Sequence, residues 1–207
     1  MLMEIKDGVK TFYAKDRKSW RAWLSKHHEK EKSVWLIIYK KGAPKKSINY
    51  TEAVEEALCY GWIDSKPNKR DEESFYQFFA KRNPSSNWSK INKDRVKKLI
   101  DQGLMTPSGM AVIEQAKANG KWAALDDIEN LLIPDDLESM LNANQEAAVH
   151  FEAFPRSVKR GILEWILNAK TPATRNKRIQ ETVTLAAENI RANQYIPKQY
   201  SFNNANN

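Results

Sequence analysis

One cysteine in 207 residues, Cys59, excludes an internal disulfide framework and fits a reducing compartment. Histidine is almost as scarce. His27 and His28 are neighbours and His150 is distant, and adjacent side chains on a helix point about 100° apart. They would not chelate one ion from a single face, so no metal and no other cofactor is expected. Glycine is too sparse for a nucleotide loop: there is no P-loop, no dinucleotide-binding glycine pattern and no Gly-x-Ser-x-Gly elbow. A hydrolase or NTPase built on a standard motif is thereby excluded, and no catalytic residue is assigned. No apolar stretch approaches the roughly 20 residues that span a bilayer, so no membrane span is expected. The N-terminus lacks a basic region followed by an apolar run. The expected location is the cytoplasm.

What the chain has in quantity is aromatic residues and positive charge. Seven Trp, seven Tyr and seven Phe supply large groups for a core. The net charge of +8 is uneven. Residues 66–98 hold ten Lys and Arg against four Asp and Glu, residues 101–154 hold two against ten, and residues 155–178 hold seven against one. The two basic segments can be compensated by the acidic middle, or can present one face to an anionic partner.

Strand signals are confined to the first half. Lys10-Thr-Phe-Tyr-Ala14 is expected as a short strand, and Val34-Trp-Leu-Ile-Ile-Tyr39 is a β-branched and aromatic run suited to a central strand. Tyr60-Gly-Trp-Ile-Asp64 and Ser74-Phe-Tyr-Gln-Phe-Phe79 predict two more, joined by a polar connection. Asp16 is the expected N-cap of a helix burying Trp20, Trp23 and Leu24. Asn49 or Thr51 is the expected cap of a second helix, with Ala53, Val54, Ala57 and Leu58 inside and Glu55 and Glu56 on the wet side.

Beyond residue 87 the pattern is helical. Asn92 is the expected cap of a helix ending at Gly103, and Thr106-Pro107 and Thr171-Pro172 are helix starts with Pro at the first position. Pro134, Asn144 and Pro155 open three others. Strands first and helices after imply an α+β fold. A small, mostly antiparallel sheet of three or four strands, with covering helices, forms the N-terminal half, and the C-terminal half is helical. The expected division is an α+β domain over residues 1–123, a helical domain over 134–190 and a flexible tail over 195–207.

Four segments occur in order: Ala57-Leu-Cys-Tyr-Gly-Trp-Ile-Asp64, Trp88-Ser-Lys-Ile-Asn92, Gly103-Leu-Met-Thr-Pro107, and Glu164-Trp-Ile-Leu-Asn-Ala-Lys-Thr-Pro-Ala-Thr-Arg-Asn-Lys-Arg-Ile179. Together they resemble the YdeI/OmpD-associated family, also called bacteriocin-protection proteins, over roughly residues 20–187. The resemblance implies a role in bacterial stress, in tolerance of antimicrobial peptides and bacteriocins, and association with an outer-membrane porin. It supplies no catalytic residues to carry over.

The chemistry concentrates at Phe79-Ala-Lys-Arg-Asn-Pro-Ser-Ser-Asn-Trp-Ser-Lys-Ile-Asn92, an aromatic-to-helix junction with guanidinium, hydroxyls and free helix N-terminal amides. Strand alternation points Trp62 and Asp64 the same way, a pair able to stack a planar group and accept its N–H bonds. The expected ligand cleft therefore comprises Trp62, Asp64, Arg82, Ser86, Trp88, Ser89 and Asn92. Arg175 and Arg178, three apart on the last helix, form its basic wall. Ordinary roles compete: Ser86 and Ser89 as caps, Trp88 as a core contact, Asp64 as a turn residue, and the two arginines as partners of Asp135 or Asp136. The partner of such a cleft is a small anionic ligand or an anionic protein surface. A chain this basic does not itself attract cationic peptides, so direct sequestration would need an acidic patch such as residues 126–138. Basic segments interleaved with Tyr76, Phe78, Phe79 and Trp88 support nucleic-acid binding as an alternative, and an enzyme using Asp64 as base is a third reading.

Overall fold

The computed structural model describes residues 4–194, so the tail expected over 195–207 lies outside the described residues. These fall into two compact units that meet in sequence at Ala124 and Leu125. The protein is α+β, with a sheet and helices in the first unit and helices alone in the second.

In the first unit the chain runs β1 (Ile5–Lys6), β2 (Val9–Tyr13), α1 (Arg17–His27), β3 (Ser33–Tyr39), α2 (Tyr50–Cys59), β4 (Trp62–Lys69), β5 (Ser74–Lys81), α3 (Lys90–Asp101) and α4 (Pro107–Ala118). The sheet order is β1-β2-β3-β5-β4. Only β2 and β3 are parallel, and α1 is the crossover between them. Five strands replace the expected three or four because β1 is two residues long, too short to show a period. β4 also runs on through the polar stretch expected as a loop, with a register shift between Asp64 and Pro67 that accommodates the extra residue.

One face of the sheet builds the main core. Val34, Leu36 and Ile38 alternate onto it from β3 and meet Phe79, Trp62 and the helical Trp20, Leu24, Val54 and Leu58. Phe12 reaches the same side and packs against Trp20 and Trp23. The enclosed indole of Trp20 donates to the carbonyl of Ala53 at 3.0 Å, so its one polar atom is satisfied. Asp16 caps α1 through a reciprocal pair with Ser19, and Asn49 caps α2. Glu55 and Glu56 are not on a wet face as expected. They are 7 % and 2 % exposed, because α1 lays Arg17 and Arg21 over them. Gly61 turns the chain from α2 into β4 at φ +73°, where a side chain would also strike Val112.

Helix α3 begins earlier than Asn92. Ser89 is its N-cap, accepting from the Asn92 amide at 3.4 Å, and Asn92 lies inside the first turn. Thr106 caps α4 with Pro107 at the first helical position.

The second unit contains α5 (Asp126–Glu129), α6 (Asp135–Asn142), α7 (Gln145–Ala153), α8 (Arg156–Leu167) and α9 (Pro172–Ala187). Its own core gathers Leu137, Leu141, Phe151, Ile162, Leu163, Ile166, Ile179 and Val183. Asn144 caps α7 and Thr171 caps α9. Asp136, in the first turn of α6, accepts from Arg175 Nε and Nη2 at 2.6 and 2.9 Å. That pairing holds the Asp136 carboxyl below the usual aspartate value, and its folded form stays ionised to lower pH than the unfolded chain. The contribution is therefore complete above about pH 5 and lost as pH falls through the lowered folded value. With Asp136 partly open to water it amounts to about 0.5 kcal/mol. Asp136→Asn should remove this part of the acid-dependent loss, which urea unfolding followed by circular dichroism at pH 6 and pH 3 would measure.

Candidate functional site

The residues expected to line one cleft occupy separate settings. Trp62 is 1 % and Trp88 2 % exposed, so neither indole faces an open hollow. Alternation does place Trp62 and Asp64 on one side of β4, but it is the side α1 and α2 cover. There Trp62 meets Trp23 edge-on and donates to the carbonyl of His28 at 3.3 Å. Trp88 packs on Trp122, and its amide donates to the carbonyl of Lys121 at 3.2 Å. Asp64 accepts from the Tyr50 hydroxyl at 2.7 Å and the Gln77 amide at 3.3 Å. Burial, reinforced by Asp64, pushes the Tyr50 hydroxyl up to about 12. Ser86 donates to the carbonyl of Asn83 at 2.7 Å, Ser89 caps α3, and Asn92 accepts from Arg95 at 3.1 Å. Hydroxyls and amides at the junction are thus engaged in local turns and caps.

Arg82 is the member that local structure leaves uncompensated. It is 8 % exposed, lies 3.8 Å from the Trp88 ring centroid and donates to the carbonyl of Asn87 at 2.6 Å. Its Nε has no partner among the described residues, and no carboxylate pairs with it there. Burial pulls its pKa down to about 10. In the second unit, Arg175 is engaged by Asp136, while Arg178 donates to the carbonyl of Trp165 and lies 5.0 Å from that ring. His28 bridges the carbonyl of Leu24, one turn back in the chain, and the hydroxyl of Ser108, 80 residues on. Among the described residues no group of three or more His, Cys, Asp and Glu could hold a metal ion. The Cys59 thiol is buried, which pushes it up to about 11.

A different constellation lies on the opposite face of the sheet. The β3–β5 register sets Trp35 beside Phe78 and Ile37 beside Tyr76, and the β2–β3 register sets Tyr13 beside Ile37. These residues form a second aromatic cluster with Val9 and Tyr39. The rings meet edge to face: Trp35 with Phe78 at 4.9 Å, Trp35 with Tyr76 at 6.0 Å, and Tyr13 with Tyr39 at 5.9 Å. Cations lie over them. Lys45 Nζ is 4.1 Å from the Tyr13 centroid, Lys6 is 5.4 and 5.3 Å from Trp35 and Tyr76, Lys66 is 5.9 Å from Trp35, and Arg70 is 5.9 Å from Tyr76. Glu4 crosses to this face and accepts from the Tyr76 hydroxyl and from Arg70. Lys45 and Lys66 form no ion pair among the described residues. Tyr13, Tyr39 and Phe78 are half-buried, and both lysines are exposed.

Sequence reading grouped Tyr76 and Phe78 with Phe79 and Trp88 as one set of platforms. The register separates them, because Phe79 is fully enclosed in the main core. The period-two placing of Trp35, Ile37 and Tyr39 within an otherwise continuous apolar run was the signal available for this second face.

The chain is therefore a two-unit α+β protein with an aromatic, cation-covered sheet face in its N-terminal unit. Residues 130–189 match the family model described as "Bacteriocin-protection, YdeI or OmpD-Associated". Over that segment, under a third of the chain, the protein is similar to the YdeI/OmpD-associated family. Residues 12–112 match a second model, a domain of unknown function designated DUF8412, so three of the four motif segments lie outside the first match. No curated protein and no solved structure shows significant similarity to the chain. Among the described residues no helix is long and apolar enough to cross a membrane.

Proposed function

We propose that this protein is a non-enzymatic binding protein of the cytoplasm that engages an anionic partner through the cationic aromatic face of its sheet. Its biological role, on this reading, is in bacterial stress and in tolerance of bacteriocins or antimicrobial peptides, as the description of its C-terminal family suggests. The observation that carries the reading is the state of Lys45 and Lys66. Each ammonium lies over an aromatic ring, and neither has a carboxylate partner among the described residues. An arriving anion meets these charges already placed and has no ion pair to break. The arginines of α1 differ, because Glu55 and Glu56 neutralise them internally. A net charge of +8 adds long-range attraction for anions and repels cationic peptides, so the role in tolerance is indirect.

Inorganic tripolyphosphate serves as the probe, titrated by calorimetry at low salt. Binding should weaken roughly tenfold in the Lys45→Gln, Lys66→Gln double variant, with a Lys170→Gln, Lys177→Gln double variant in the second unit as the charge-matched control. No binding by the natural sequence, or an equal loss in the control, would overturn the proposal.

A further inference from the structure

We propose that the occupant of this sheet face is single-stranded nucleic acid; the inference rests on the anion-binding reading above and names its ligand class. Two features of the face select this polymer over other anions. The first is the interleaving of rings and cations. Tyr13, Tyr39 and Phe78 are half-buried at the surface, with Lys45, Lys66, Lys6 and Arg70 among and over the rings. A simple polyanion or an acidic protein surface uses the cations and leaves the rings idle. Unpaired bases use both, since every base offers a π-face to an aromatic side chain while its phosphate meets a cation. A duplex keeps its bases stacked inside and offers none to a flat sheet.

The second feature is Glu4. Its carboxylate is held by a phenol hydroxyl, from Tyr76, and by the guanidinium of Arg70, with the Lys6 ammonium 5.3 Å from the same tyrosine ring. A hydroxyl and a guanidinium converging on one oxyanion is the donor set a phosphate takes. Glu4 therefore stands where a backbone phosphate binds and competes with it. Beneath lies Trp35, whose indole N–H is enclosed and lacks an acceptor among the described residues. Displacement of the side chains over that ring would open the donor to a base edge, where satisfying it recovers the cost of leaving it unpaired.

The test uses the full chain and fluorescein-labelled 12-mers in anisotropy titrations from 50 to 300 mM NaCl. The probes are oligo(dT), oligo(U), the blunt duplex of a mixed sequence and an abasic phosphodeoxyribose strand. Single strands should bind with an affinity that falls steeply with salt. The duplex and the abasic strand should bind at least roughly tenfold more weakly, because base–ring stacking is absent. Phe78→Leu, which keeps an apolar side chain at that position, should weaken oligo(dT) binding severalfold, and Glu4→Gln should strengthen it. If the abasic strand or polyglutamate binds as tightly as oligo(dT), the nucleic-acid assignment is overturned while anion binding stands. Should tripolyphosphate and every strand fail to bind, both readings fall together.

Discussion

Glu56→Gln is expected to destabilise the N-terminal unit by about 2–3 kcal/mol, one of the two largest effects the structure predicts for a single substitution. Glu56 is 2 % exposed and accepts from Arg17 Nε at 2.5 Å and Arg21 Nη1 at 2.7 Å. Arg17 also donates to Glu55 at 2.9 Å, and Lys98 of α3 stands 3.6 Å from the other Glu55 oxygen. Arg21 is committed further by a 2.8 Å bond to the carbonyl of Leu104. Three helices and a loop are thus fastened by two carboxylates and three cations. Glutamine keeps the shape of Glu56 but removes its charge and turns an N–H₂ toward guanidinium donors. The arginines cannot shed their protons, so Arg21 is left without a carboxylate among the described residues and Arg17 with Glu55 alone. Breaking a fully buried pair costs about 3–5 kcal/mol, and partial solvent access to both arginines reduces that here. Urea unfolding should show a lower midpoint at unchanged slope. Converting Arg17, Arg21 and Glu56 together to Met should cost less than the single change, because the one carboxylate then left, Glu55, still has Lys98 3.6 Å away. Equal losses for the single and the triple variant would show that packing, not charge, holds these helices.

That network marks where the sequence was legible and where it was not. Glu55 and Glu56 follow an apolar stripe, and composition alone assigns such residues to water. Only the neighbouring helix, 35–39 residues away in sequence, makes their burial tolerable. Local signals fared better. Asp16, Asn49, Thr106, Asn144 and Thr171 cap the helices expected of them, since a cap is decided within four residues. The α3 start was misplaced by one turn because Ser89 and Asn92 are both competent caps and sequence does not rank them. Trp88 was expected either in the ligand cleft or as a core contact, because serine, asparagine and lysine surround it in sequence, and the structure makes it a core contact. Its burial depends on Trp122, which no local pattern connects to it. The second face of the sheet shows the same limit. Trp35, Ile37 and Tyr39 have the right period, but their partners Phe78, Tyr76 and Tyr13 come from strands whose register only the fold supplies.

Gly109→Ala should be at least as damaging, at about 3 kcal/mol or more, although alanine is the better helix former by about 1 kcal/mol. Gly109 lies in the first turn of α4, where that helix crosses the end of α2. A methyl group there would sit 2.2 Å from the carbonyl oxygen of Cys59, 2.7 Å from its carbon and 2.9 Å from the oxygen of Leu58. All three are backbone atoms, so no rotamer change relieves the overlap and the helices must separate. The same Cys59 oxygen accepts from the Thr106 amide at 3.2 Å and the Thr106 hydroxyl at 2.6 Å, so separation also strains the cap of α4. Ile113 and Ala116, buried on the same helix, would then be pulled from the main core. Gly161 in α8 provides the contrast. The nearest atom to a methyl group there is Gln194 Nε2 at 3.8 Å, ordinary contact with a flexible side chain. Gly161→Ala should therefore stabilise by about 1 kcal/mol through helix propensity alone. The identical chemical change is expected to act with opposite sign at the two positions, read from thermal and urea unfolding of each variant. A Gly109→Ala protein as stable as the natural one would mean that α4 does not press on the end of α2 this closely.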